Sequence, residues 1–353
     1  MAGRQLPATI RKLVAVRASP KFREMLSVKT EPTPKPGDRE VLVKNRFVGI
    51  NASDINFTAG RYDPKAKFPL EVGFEAVAEV VDAGPNALYK PGQAVMYLQY
   101  GAFSDYKLVK DKYLVPLPEL KAEYLPFILS GNTAAISLDK TGELKPGETV
   151  LITAAAGGTG QIAVQWAKLK GCHVIGTCSS EDKMKFLKDI GCDRPVNYKT
   201  ENLREVLKKE YPKGVDVVYE TVGGEMFDTC VENLAIHGRL IIIGYIQGYE
   251  SDKGYIPSRT LATLPARLLP KSASVRGFFL FNFAKDSAPY VMKQIQYYNE
   301  GKLKSFVDLG EKASAGPFIG LEKIVDAVEH LYSKKSIGKI VVDLNSKDLN
   351  SKL

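Results

Sequence analysis

The 353-residue chain is poor in the side chains that bind metals and form crosslinks: it has four cysteines, three histidines and one tryptophan. Cys172, Cys178, Cys192 and Cys230 all fall in the middle third, and His173, His237 and His330 are scattered. The cysteine spacing matches neither a C-x-x-C zinc pattern nor a dense disulfide framework, which points to a reducing, intracellular setting. No apolar run approaches the ~20 residues that a membrane span needs; the strong ones, such as Leu240 to Ile243, are strand-sized. Arg4, Arg11 and Lys12 stand among mixed neighbours, without the apolar core of a secretory signal. Lys and Arg number 49 against 40 Asp and Glu, a net charge of +9, but no basic block is long enough to read as a nucleic-acid arm. Nucleic acid is therefore not an expected partner, whereas a diffuse positive field suits an anionic cofactor or substrate. With 44% hydrophobic and 25% charged residues the chain is neither disordered nor of low complexity, and its length suggests two domains.

Residues 1–130 are rich in β-strand signals, with Val41 to Lys44, Glu75 to Val81 and Gln93 to Tyr97 lying between proline- and glycine-marked turns. The pattern changes near Gly131. After a helical stretch, Thr133 to Leu138, strands alternate with helices: Thr149 to Thr153, then Gln161 to Lys170, His173 to Thr177, Glu181 to Ile190, and the strands Val215 to Tyr219, Leu240 to Ile243 and Ser274 to Phe278. That alternation predicts an α/β fold with a doubly wound parallel sheet over 131–300. The segment 301–353 carries one more helix, Leu321 to Tyr332, and one more strand, Lys339 to Leu344.

The sharpest local signal joins strand 149–153 to the next helix through Ala154-Ala155-Ala156-Gly157-Gly158-Thr159-Gly160. It is a dinucleotide fingerprint with Ala155 in place of the first glycine. Gly157 would let the backbone approach a pyrophosphate, Gly160 would let helix and strand pack closely, and the helix N-terminus would favour the phosphates. An NAD site wants an acidic residue about 20 positions further on, to bond the ribose 2′-hydroxyl. The count arrives instead at Ser179 and Ser180, with Lys183 one short turn on. Hydroxyls and a cation suit a 2′-phosphate, so NADPH is the expected cofactor. Glu181 and Asp182 fit this only if their side chains point away.

With these residues in hand, the chain resembles the zinc-free quinone and enone reductases of the medium-chain dehydrogenase/reductase superfamily. The likeness runs through Gly49 to Asn56, Gly73-Phe74-Glu75, Ala154 to Gly160, Asn197 to Thr200, Tyr219 to Gly224 and Gly338 to Val342. It implies a GroES-like catalytic domain built from 1–130 and the returning 301–353, a central Rossmann domain, and a cofactor in the cleft between them. It also implies contacts to the pyrophosphate from Thr159 and to the 2′-phosphate from Ser179, Lys183 and Tyr198. Thr221, Ile243 and Tyr249 would lie near the cofactor after the fourth and fifth strands. Phe278, Phe279 and Leu280 would offer backbone groups to the nicotinamide. Ser336 stands where relatives carry an asparagine. A homodimer through edge pairing of the Rossmann sheets, with Phe278 to Phe281 near that edge, belongs to the same expectation.

Zinc-dependent members of the superfamily use a Gly-His-Glu segment; here Phe74 replaces the histidine, and residues 1–171 contain no cysteine, so no metal is expected. Without a Lewis acid, conjugate hydride addition to an α,β-unsaturated ketone is easier to support than alcohol oxidation, because donors can stabilise the developing enolate. Tyr62 is the candidate donor, since a phenol with a reference pKa of ~10 stays protonated at neutral pH. The resemblance implies 15-keto prostaglandins as substrates, reduced at the 13,14 double bond. The residues alone support a small lipophilic enone, with Tyr97, Tyr100, Phe103, Phe279, Phe281 and Phe283 as candidate lining. Alternatives are an NADPH quinone oxidoreductase and a non-enzymatic NADPH- and RNA-binding protein. The final Ser351-Lys352-Leu353 is a receptor-read peroxisomal address, which predicts a peroxisomal location and an import receptor as partner.

Overall fold

A computed structural model describes residues 6–63 and 65–345. The chain divides into two compact units, one of residues up to Ile128 together with those from Val307 onward, the other Leu129–Phe306. Pro64 and the terminal Ser351-Lys352-Leu353 lie outside the described residues.

The central unit is built on six strands: β1 (Thr149–Ile152), β2 (His173–Cys178), β3 (Arg194–Asn197), β4 (Val215–Glu220), β5 (Leu234–Ile242) and β6 (Ser274–Gly277). They pair in the order β3-β2-β1-β4-β5-β6, every pair parallel. Parallel sheets are covered on both faces, which is why these strands are continuous apolar runs rather than alternating ones; Val150, Leu151 and Ile152 are all fully buried. The crossovers include α1 (Gly158–Leu169), α2 (Glu181–Asp189), α3 (Leu203–Glu210) and α4 (Gly224–Glu232). Helix starts follow from side-chain caps: Ser180 Oγ accepts from the Lys183 N–H at 3.4 Å, and Asn202 Oδ1 accepts from the Arg204 N–H at 3.0 Å. On α3, Leu203, Val206 and Leu207 bury against a core with Val215, Val218 and Leu240, each such side chain contributing roughly 1.5–3 kcal/mol.

The sequence reading passes over β3, α3, α4 and the helix Ala284–Asn299, and it shortens one strand. β5 begins at Leu234 rather than Leu240, because its first half contains a left-handed residue, His237 at φ 60°, and a register irregularity against β4 that breaks the apolar pattern. The central unit runs through Phe306, and side chains of α1 hold its last residues. Gln165 Oε1 accepts from the Lys304 N–H at 2.7 Å while its Nε2 donates to the Lys304 carbonyl at 2.9 Å. Gln161 treats Phe306 the same way, at 3.0 and 2.8 Å. Two buried amides thus imitate a β-ladder and hold 304–306 to the central unit.

The terminal unit carries a seven-stranded sheet, with Glu40–Gly49 between Lys339–Asp343 and Glu75–Ala83. A smaller sheet joins Thr9–Ala15 to Leu26–Pro32 and Leu70–Glu71. The strand Lys339–Asp343, from the far end of the sequence, therefore pairs directly with Glu40–Gly49 and buries Ile340, Val341 and Val342.

Candidate active site

The strand order of the central unit changes direction between β1 and β4, and open α/β sheets bind ligands outside the carboxyl ends of strands at such a point. β1 leaves this edge through Thr153 to Gly160. Ala154 takes a left-handed φ of 47°, its N–H donating to Thr177 Oγ1 at 3.1 Å, and the buried Ala155 N–H donates to the Thr177 carbonyl at 2.9 Å. These bonds tie the turn to β2. A Cβ on Gly160 would lie 2.5 Å from the Ala154 carbonyl oxygen and 2.7 Å from Ala155 Cα, so only glycine lets α1 start this close to the strand. Gly157 sits at the N-cap in extended conformation and offers no capping side chain. The first-turn N–H groups and the positive end of the helix dipole therefore have no side-chain competitor, an arrangement that fits a pyrophosphate. The Thr159 hydroxyl is hydrogen-bonded to the hydroxyl of Tyr219, whose phenol burial pushes well above its ordinary range.

The three residues expected around a 2′-phosphate come together at the carboxyl ends of β2 and β3. Ser179 follows β2 and Lys183 lies in the first turn of α2, both buried, while Tyr198 is half-exposed and donates its N–H to the Cys178 carbonyl at 3.1 Å. The neighbouring acid Glu181 accepts from Asn197 Nδ2 at 3.2 Å, which ties its carboxylate to β3. The donor set fits a phosphorylated ribose: hydroxyls, a lysine, and no carboxylate at the end of β2.

Thr221, after β4, donates its N–H to Thr153 Oγ1 at 2.9 Å, fixing β1 and β4 at the switch point. Ile243 donates its N–H to the Glu220 carbonyl at 2.8 Å, and the buried Tyr249 hydroxyl accepts from the Tyr245 N–H at 3.3 Å. After β6, Phe278 and Leu280 are buried and Phe279 is half-exposed. The Phe278 N–H already donates to Ile242 at 3.0 Å and the Phe279 carbonyl accepts from Asn282 at 3.0 Å, so those two groups serve the turn itself. Glu220, given no role from sequence, is buried here and caps the turn, its Oε1 accepting from Val222 at 2.8 Å and Gly223 at 3.0 Å. Burial raises its carboxyl to about 7, against those backbone donors.

Tyr62 and Ser336 belong to the terminal unit. Tyr62 follows the short helix Ser53–Thr58 and is 37% exposed; Ser336 is half-buried ahead of the strand Lys339–Asp343. Of the apolar lining candidates in this unit, Tyr100 is half-exposed and stacks on Phe57 at 4.5 Å, whereas Tyr97 and Phe103 are fully buried and are core. Sequence reading gave Lys339 no role, yet it closes a buried polar tetrad. Its ammonium contacts Glu75 Oε1 and Asn51 Oδ1, each at 2.6 Å, Asn51 Nδ2 donates to Glu75 Oε1 at 3.0 Å, and the Asn51 N–H donates to Asp54 Oδ2 at 2.8 Å. Gly49 makes the room: a Cβ there would lie 2.4 Å from Glu75 Oε1. Burial raises the Asp54 carboxyl to about 8, and the Asn51 N–H and Lys339 only partly oppose it. Charged residues at the ends of apolar strands, Glu220 closing β4 and Lys339 opening Ile340 to Val342, are the signal that would have found both. Zinc does not fit: position 74 is Phe, Glu75 is spent on an ammonium, and no group of three or more potential ligands gathers among the described residues.

The alcohol dehydrogenase GroES-like domain model matches residues 37–119 and the zinc-binding dehydrogenase model matches 158–296. The chain belongs to this zinc-binding dehydrogenase family, as a medium-chain dehydrogenase/reductase. It is 52% identical to prostaglandin reductase-3 of Mus musculus over 97% of this chain and 91% of that one. It is 44% identical to a probable quinone oxidoreductase of Leishmania amazonensis, over 96% and 99%. Among solved structures, Escherichia coli quinone oxidoreductase complexed with NADPH superposes with a TM-score of 0.80 at 27% identity, covering 94% of this chain and 99% of that one.

Proposed function

We infer that this chain is an NADPH-dependent enone reductase, acting on the carbon–carbon double bond of α,β-unsaturated ketones. The observation that carries the cofactor is the switch-point edge, where a glycine-opened helix meets Ser179 and Lys183 in place of a ribose-binding acid. The names of the relatives support the reaction: prostaglandin reductase-3 at 52% identity and an NADPH-complexed quinone oxidoreductase among the structures. Bound there, NADPH supplies the hydride. The chain's own work is to seat the phosphates on α1 and α2 and to exclude bulk at Gly160. For the proton, we propose Tyr62 as a donor to the enolate oxygen, a role that suits a phenol at neutral pH. The finer substrate proposal is a 15-keto prostaglandin, reduced at its 13,14 bond. The Leishmania relative's name keeps a second reading, quinone reduction.

The deciding experiment is NADPH consumption across a panel holding a 15-keto prostaglandin, simpler enones and an ortho-quinone, followed by Tyr62→Phe on the best substrate. A donor role predicts a fall in kcat of about 10²-fold or more with NADPH affinity unchanged. Full turnover in the variant removes Tyr62 as donor, and turnover of the quinone alone removes the enone reading.

We further propose a peroxisomal location, on the strength of Ser351-Lys352-Leu353. Deleting those three residues from a chain tagged at its N-terminus is expected to move it from peroxisomes to the cytosol; an unchanged distribution refutes the address.

A further inference from the structure

After β5 the chain does not return at once to a helix but runs as an irregular strap, 243–260, over the carboxyl ends of β4 and β5. Backbone bonds lay it against the turn that follows β4: Ile246 donates to the Thr221 carbonyl and Gln247 to that of Val222, both at 3.1 Å. Two glycines let it lie flush. A Cβ on Gly223 would come within 2.9 Å of Tyr245 Cβ, and one on Gly224 within 2.5 Å of Gln247 Oε1 and 3.7 Å of Ile256 Cγ2. Within the strap, Gly248 lets Tyr255 approach, since a Cβ there would be 2.4 Å from Tyr255 Cα.

The far end of the strap is clasped by one buried carboxylate on α4. Asp228 Oδ1 accepts from the Ser258 hydroxyl, from the Thr260 N–H at 2.9 Å and from the Thr260 hydroxyl at 2.6 Å; Oδ2 accepts from the Arg259 N–H at 3.1 Å. Burial alone would raise this carboxyl, but the donors of Ser258 and Thr260 outweigh it and hold it at about 2, so it is a full anion at neutral pH. A four-donor clasp on an irregular segment is more than helix capping requires.

Held this way, the strap presents Tyr245, Tyr255 and Ile256 to solvent at 41, 56 and 40% exposure. Tyr245 and Ile256 flank the turn at Gly223–Gly224, and Tyr255 is held against Gly248 of the same strap; exposed side chains of this size on the ligand-binding edge of the sheet are a surface that an apolar molecule would cover. We propose that Asp228 is a positioning residue for substrate specificity: by clasping Ser258 and Thr260 it holds the strap so that Tyr245, Tyr255 and Ile256 form an apolar wall for the hydrocarbon chain of a lipophilic enone. The proposal rests on the reductase reading and names the part of the substrate that this edge selects. A small enone has no chain to reach the wall and does not depend on it.

The test compares but-3-en-2-one with dec-3-en-2-one in the wild type, in Asp228→Asn and in the double variant Ser258→Ala, Thr260→Val, which keeps the carboxylate and serves if Asp228→Asn does not fold. Loss of the wall is expected to raise KM for the ten-carbon ketone about tenfold or more, the equivalent of one apolar side chain uncovered. With NADPH saturating, kcat and kcat/KM for but-3-en-2-one are expected to stay within about twofold. Trypsin cleavage after the exposed Lys253 reports the strap directly and is expected to accelerate in both variants. Equal losses with both ketones, or unchanged KM for the long one, overturn the proposal; so does unchanged cleavage at Lys253. A wild type that reduces neither ketone overturns the reductase reading and the specificity role with it, and the cleavage rates then still tell whether the clasp holds the strap.

Discussion

Lys339→Met is expected to unfold the terminal unit rather than to trim its activity. The ammonium is 2% exposed and faces a fully buried Glu75 at 2.6 Å, with Asn51 bridging them. Methionine fills the volume but leaves a carboxylate in the core without its cation, and breaking one side of such a pair costs about 3–5 kcal/mol. Among the described residues Glu75 Oε2 and Asp54 Oδ1 have no hydrogen-bond partner, so the cluster has no spare donors to recruit. Thermal denaturation is expected to show a transition lowered by about 6 °C or more, or insoluble protein. Adding Glu75→Gln removes the stranded charge and is expected to recover much of the loss, a coupling that a double-mutant cycle measures. The pH dependence has a defined sign. Asp54 is raised to about 8 in the folded protein, so the stability tied to its neutral form is complete below the unfolded value near 4 and is lost as pH climbs through about 8. Removing the ammonium, which favours the charged form, moves the end of that window to still higher pH. A Lys339→Met protein melting within a degree of the wild type would refute the assignment.

Much of the central sheet is legible because parallel strands buried on both faces carry apolar runs such as Val150 to Ile152, and glycines mark the turn into α1. The glycine turn before α1 is a local signal with a local cause. What is not legible has a distant cause. The extra length of β5 depends on pairing across a left-handed His237, and the boundary at Phe306 depends on two glutamines about 140 residues away in sequence, at 161 and 165. The tetrad is the same case: Asn51, Glu75 and Lys339 meet only because strands from opposite ends of the chain are neighbours in one sheet. Ser179 and Lys183 are reached by counting from the glycine turn, whereas Tyr198 comes from the family resemblance alone; the strap on Asp228 is not legible, because irregular backbone has no period to detect.

The two glycines of the cofactor turn are expected to fail differently when each is replaced by alanine, and the contrast separates packing from ligand approach. At Gly160 the new methyl would stand 2.5 Å from a backbone oxygen and 2.7 Å from the Ala155 backbone, neither of which can rotate aside. The start of α1 must shift away from β1, carrying with it the N–H groups that would face the pyrophosphate. Gly160→Ala should therefore lower the melting temperature and weaken NADPH binding together, the latter by about 100-fold or more, close to 3 kcal/mol. At Gly157 the backbone is extended, a conformation open to alanine, and the nearest atom to a new Cβ is the Ala154 oxygen at 3.3 Å. Gly157→Ala should leave the melting temperature nearly unchanged, yet it places a methyl where the phosphates must approach, so its loss should be confined to the cofactor. Fluorescence titration with NADPH beside a thermal scan reads both quantities for each variant. Equal behaviour of the two would mean that the turn does not discriminate helix packing from phosphate access; loss of stability without loss of affinity at 160 would mean that the dinucleotide does not sit on α1.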